Sequence, residues 1–120
     1  MPPLSDPERL AAYKDALANW GITDYVEFEL TEQAHRWIRR ELAGVTLKEM
    51  KRLMFEYVND GGEIDETEER REQWAAEWEF HHDLRFIIQG KRVYIETRLK
   101  YRLPVVQDES SILVVDVHEW

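Results

Sequence analysis

From residue 78 to residue 118, apolar and polar side chains exchange places at almost every step, a period of two that pleated strands show and helices do not. Trp78, Phe80, His82, Leu84, Phe86 and Ile88 alternate with Glu79, His81, Asp83, Arg85 and Ile87. Gln89-Gly90 predicts a turn into a second strand, where Val93, Ile95, Thr97, Leu99 and Tyr101 oppose Tyr94, Glu96, Arg98, Lys100 and Arg102. Pro104 ends that run, Gln107 to Ser111 reads as a loop, and Ile112 to His118 is a third, β-branched strand with Leu113, Val115 and Val117 opposite Asp116 and His118. An antiparallel three-stranded meander is the expected outcome.

Upstream the period changes. Ser5 or Asp6 caps a helix with Pro7 in its first turn, and Leu10, Tyr13, Leu17 and Trp20 recur at helical spacing before Gly21. Tyr25 to Leu30 alternates as a strand, with Val26, Phe28 and Leu30 on one side. Thr31 then caps a helix over residues 32–43, whose stripe of Ala34, Trp37, Ile38 and Leu42 opposes His35, Arg36, Arg39 and Arg40. Thr46-Leu-Lys-Glu49 is a capping box for a further helix carrying Leu47, Met50, Leu53, Met54, Tyr57 and Val58, and the two helices read as an αα-hairpin. Residues 63–77 are charged around Trp74 and read as a polar connector with a short helix. The expected fold class is α+β: an N-terminal helix, then strand, αα-hairpin and three-stranded meander.

A chain of 120 residues with five Trp, five Tyr and four Phe supplies one hydrophobic core, so a single domain over 1–120 is expected. Cysteine is absent, which removes thiolate metal sites, disulfides and Cys nucleophiles. The first residues carry neither a basic stretch nor an apolar one, and a cytoplasmic protein with no membrane association is the expectation. A net charge of −9 argues against broad attraction to nucleic acid. Charge is uneven, however: Glu63, Asp65, Glu66, Glu68 and Glu69 are crowded together, whereas Arg85 to Arg102 holds six basic residues and the one acid Glu96.

If the meander strands pair in register, one sheet face collects His81, Asp83, Arg85, Tyr94, Glu96, Arg98, Lys100, Asp116 and His118. These are the groups that metal-independent RNA cleavage needs: a base for the 2′-hydroxyl, an acid for the leaving oxygen and a cation for the phosphorane. His81 and His118 are the candidate acid and base, Glu96 the alternative base, and Arg98 or Arg85 the phosphate holder. Arg85, Tyr94 and Lys100 are the candidate substrate contacts. The bland alternative is a solvated face joined by cross-strand pairs such as Glu96 with Arg85. Neighbours in a strand face opposite ways, so His81-His82 cannot share an ion, and no metal or other cofactor is expected. Glu96 with Asp116 or Asp83 forms a lower-ranked carboxylate pair for magnesium. Trp20, Trp37, Phe28 and Phe86 are assigned to the core, and Trp74, Trp78 and Trp120 are candidate partner anchors.

Four segments in this order resemble the small RelE/ParE-type toxin fold and its distant bacterial relatives: Leu30-Thr-Glu-Gln-Ala-His-Arg-Trp-Ile38, Phe80-His-His-Asp-Leu-Arg-Phe86, Val93-Tyr-Ile-Glu-Thr-Arg98 and Ile112-Leu-Val-Val-Asp-Val-His118. The resemblance covers residues 25–120, with residues 1–22 as a helical extension outside the βααβββ core of 23–120. It implies a bacterial mRNA endonuclease of a toxin-antitoxin system, or a gyrase poison, held by an antitoxin whose extended segment packs over it. Those toxins are typically basic, whereas this chain is acidic. The alternative expectation is a non-catalytic protein-interaction or regulatory module on the same fold, its acidity suited to a basic partner.

Overall fold

Helix α1, Pro7–Ala18, begins where the Asp6 carboxylate accepts the backbone N–H of Arg9 and Pro7 enters the first turn. Tyr13, Ala16 and Leu17 turn its buried side inward. Strand β1, Val26–Phe28, is shorter than the alternation suggested and leads into helix α2, Glu32–Glu41, capped by the Thr31 hydroxyl. Helix α3, Leu47–Asn59, starts where Thr46 accepts the N–H of Glu49, but the Glu49 carboxylate turns to Arg52 instead of completing the box. The computed structural model describes residues 2–101 and 109–120.

Strand β2, Asp65–Glu68, and helix α4, Glu72–Ala75, occupy the stretch read as a connector. The strand corrects that reading. Its sequence, Asp-Glu-Thr-Glu, lacks apolar alternation because its inward residue Glu66 is paired to Arg9 and His82 and needs no apolar neighbour. Strands β3, Phe80–Ile88, and β4, Lys91–Lys100, then form the expected hairpin. Both turn residues, Gln89 and Gly90, have positive φ (51° and 78°), the twist that two-residue hairpin turns require. Strand β5, Ser111–Glu119, closes the fold. The expectations for Arg102, Pro104 and the first two loop residues, Gln107 and Asp108, fall on residues 102–108, outside the described residues, and Ser111, expected in the loop, begins β5.

The sheet has five strands in the order β1-β5-β4-β3-β2, antiparallel except for β1 against β5. The protein is therefore α+β, with one strand more than the expected meander plus β1. Helix α3 lies against α1, while α1 and α2 lie against β5. Leu84, Val93, Ile95, Val114 and Val117 of the sheet meet Tyr13, Leu17, Met50 and Met54 of the helices in the core. Trp20, Trp37, Phe28 and Phe86 pack against this core while only partly buried, and Phe86 stacks on Tyr57 with ring centroids 4.6 Å apart.

A bulge separates Glu96 from Thr97: Glu96 pairs with Asp116 but Thr97 with Val114, leaving Val115 as the extra residue. This corrects the simple alternation expected of β5. Leu113 shares its face with Arg98, and the inserted residue resets the phase so that both Val114 and Val117 reach the core. Among the described residues no helix is long and apolar enough to cross a membrane.

Candidate functional site

The face of the sheet opposite α1 and α3 is organised in rows. Asp65 pairs with Asp83, Asp83 with Glu96, and Glu96 with Asp116, so four carboxylates lie side by side across β2, β3, β4 and β5. The adjacent row is Arg85, Tyr94 and His118. Four of the seven residues singled out in the sequence, Arg85, Tyr94, Glu96 and His118, thus occupy neighbouring register positions, and His81 reaches the same rows through Asp83. Lys100 does not join them. It pairs with Ser111 at the far end of β4, six residues along the strand from Tyr94.

Arg98 reaches this face as well, but without access to solvent. Its side chain is 0% exposed, its guanidinium is 2.7 Å from Glu69 and 2.9 Å from Glu96, and the Trp74 ring covers it at 4.8 Å. Arg71 binds both Glu69 and Glu96, so two arginines and two glutamates form a closed network. Burial alone would raise Glu69 and Glu96, yet Arg71 and Arg98 hold both below the usual carboxylate range. Glu96 is therefore a permanently ionised, engaged carboxylate and a poor proton acceptor, and Arg98 has spent its charge inside the protein. The expected pairing of Glu96 with Arg85 is replaced too: Arg85 approaches Asp65 at 3.7 Å. Helix α4 carries Trp74 onto this face, so the helices do not leave it uncovered.

The two histidines of β3 part as the pleat demands. His81 Nδ1 lies 2.9 Å from Asp83 Oδ1 on the row face. His82 is on the core side, its Nε2 3.0 Å from Glu66 and its ring tilted against Tyr13. Burial lowers the His82 pKa against the opposing pull of Glu66, so the ring is neutral, donates from Nε2 and leaves Nδ1 without a partner.

His118 is exposed, and its ring stacks on Tyr94 with centroids 4.7 Å apart. Nδ1 donates to the Glu119 carbonyl at 2.7 Å, which fixes the tautomer and leaves Nε2 as the basic nitrogen, 3.7 Å from Asp116. The Arg85 guanidinium lies 5.4 Å from the Tyr94 ring and 5.9 Å from that of Trp120. Burial and the nearby Asp83 and Glu96 carboxylates push the Tyr94 phenol well above its ordinary value, so it stays protonated.

Beside His118 a groove of about 860 Å³ runs between α2, α4 and the end of β5. Arg36, Arg40, Arg71, Trp37 and Trp74 line it together with Glu96, Asp116 and His118. Arg36 makes no ion pair among the described residues, and Arg40 only an exposed contact with Glu41 at 3.4 Å. The amphipathic pattern of α2 had exposed these arginines, but nothing in the residue pattern joined them to His118, because the parallel pairing of β1 with β5 is what brings α2 alongside. Glu69 and Arg71 were missed for a similar reason, since an acidic run gives no sign that two of its members close over another strand. No protein family, curated protein or solved structure matches the chain.

Proposed function

We propose that the protein binds single-stranded RNA in the groove between α2 and α4 and cleaves it without a metal, His118 acting as the base. The observation that carries this reading is the groove's lining: Arg36 and Arg40 with largely unspent charge, two indole rings and an exposed imidazole of fixed tautomer in one concavity. Guanidinium groups suit phosphates and indoles suit unstacked bases. His118 Nε2 takes the 2′-hydroxyl proton, the 2′-oxygen bonds to the adjacent phosphorus, and the 5′-oxygen leaves with a proton from water. The products are a 2′,3′-cyclic phosphate and a 5′-hydroxyl. Tyr94 positions the imidazole by stacking behind it. This narrows the candidate set to Arg85, Tyr94 and His118, with Glu96 and Arg98 serving the scaffold.

A labelled single-stranded RNA incubated with the protein in EDTA tests the reading. Wild type is expected to bind and cut it, His118→Ala to bind normally and cut at least about 100-fold more slowly, and Arg36→Glu with Arg40→Glu to lose binding while remaining folded. Wild type that neither binds nor cuts RNA removes the proposal.

The second reading, a protein-interaction module of the kind an antitoxin would engage, is favoured by one observation. Strand β1 pairs only with residues 112–114 of β5, so among the described residues the edge of β5 beyond them has no strand on that side.

A further inference from the structure

We propose that His81, Asp83 and Glu96 form a binding site for a divalent transition-metal cation. A ligand atom from each lies within 4.8 Å of the others. Ligands held at about 2.1 Å in a tetrahedral site are about 3.4 Å apart, so closing the set takes side-chain movements of about an ångström.

The second observation is Asp83 itself. The residue is 0% exposed; Oδ1 meets His81, the Tyr94 hydroxyl approaches the carboxylate, and Oδ2 is buried without a hydrogen bond of ordinary geometry. A buried carboxylate oxygen without a donor is costly, and here Asp65 and Glu96 flank it in the same row of the sheet. A cation on Oδ2 would relieve both the missing partner and the repulsion along the row. The two arginines that neutralise Glu96 reach it through Oε2, so Oε1 is the oxygen it has left to offer.

The donor set selects the ion. One imidazole nitrogen with two carboxylates suits Zn²⁺ or Mn²⁺, whereas Ca²⁺ takes six to eight oxygens. A way in exists where His81, only 12% exposed, lines a hollow of about 460 Å³ with Thr67, Glu69 and Arg71. Bound there, the ion ties β3 to β4 under the Glu69–Arg71 cover, and its occupancy does not depend on any reaction at His118.

Calorimetric titration of ZnCl₂ and of MnCl₂ into the chelator-treated full chain, with melting temperatures taken with and without each salt, tests the site. Wild type is expected to bind one equivalent of at least one of the ions and to melt higher with it. His81→Ala should weaken that affinity at least about tenfold, and His35→Ala, in α2 and outside the cluster, should leave it unchanged. Metal-free melting curves show which variants fold, and His81→Gln replaces His81→Ala if the latter does not. No saturable binding by wild type, or equal affinity in the folded His81 variant, overturns the proposal.

Discussion

The carboxylate of Glu69 lies 2.7 Å from the guanidinium of Arg98, and neither side chain has any exposure to solvent. One residue comes from the loop after β2 and the other from near the C-terminal end of β4, so this contact fastens the least apolar part of the chain to the sheet. Removing one partner leaves the other charged, buried and partly uncompensated. Glu69→Ala is expected to cost about 3–5 kcal/mol in urea unfolding. Glu68→Ala, one residue away with its side chain 65% exposed, should change stability by less than about 0.5 kcal/mol. Equal effects of the two would refute the buried-pair account.

Thr97 links α1 to β3. Its hydroxyl donates to the His82 carbonyl and accepts the Tyr13 hydroxyl at 2.8 Å, all three groups being buried. Tyr13→Phe deletes one donor and leaves Thr97 bonded, for a loss of about 1 kcal/mol. Thr97→Val strands the Tyr13 hydroxyl and removes the side-chain donor to the His82 carbonyl, which keeps its ladder partner across β3 and β4, and should cost about 2–3 kcal/mol. The comparison is read from unfolding midpoints, and a costlier Tyr13→Phe would reverse the assigned donor order.

Acid should destabilise the protein in two stages. The unfolded chain protonates His82 near pH 6.5, while the folded ring, its pKa lowered by burial, resists; the unfolded state then binds more protons and stability falls as pH drops below about 6.5. Glu66, Glu69 and Glu96 have folded values below the ordinary range, so their contribution is present above about pH 4.3 and is lost as pH falls through those lower values. Urea midpoints taken from pH 8 to pH 3 should show both limbs, with His82→Gln flattening the upper one and sparing the lower. A wild-type profile that is flat between pH 6.5 and pH 5 would contradict the buried neutral imidazole.

Gly62 follows α3 where the Tyr57 ring crosses it, and a Cβ at this position would overlap that ring's edge. Tyr57 is held by its stack on Phe86 and by donation of its hydroxyl to the Glu63 carbonyl, so it cannot step aside freely. Gly62→Ala should lose about 1–3 kcal/mol, whereas Gly21→Ala, with open space around it, should be nearly neutral. Differential scanning calorimetry of the pair checks this.

Several elements could be read from residue order because their causes are local. Asp6 and Thr46 cap helices through side chains three residues from the N–H they accept, and the Gln89-Gly90 turn needs only the positive φ of its own two residues. The alternation of β3 and β4 follows from the pleat, which is why His81 and His82, and likewise Ile95 and Glu96, separate onto opposite faces as expected. Strand β2 was illegible because its stability comes from Arg9 and His82, far off in sequence, in place of its own apolar content.

An α+β chain, most of its element boundaries and the set of polar residues that share a sheet face were legible in residue order, since period, capping and turn geometry act over a few residues. What surrounds those residues depended on the packing of distant segments. The Val115 bulge reset the register of β5, the Glu69–Arg71 segment closed over Arg98 and took it from solvent, and β1 drew α2 beside His118. Burial and pairing between distant segments set whether a charge is spent or free, and no residue's neighbours in sequence carry that information.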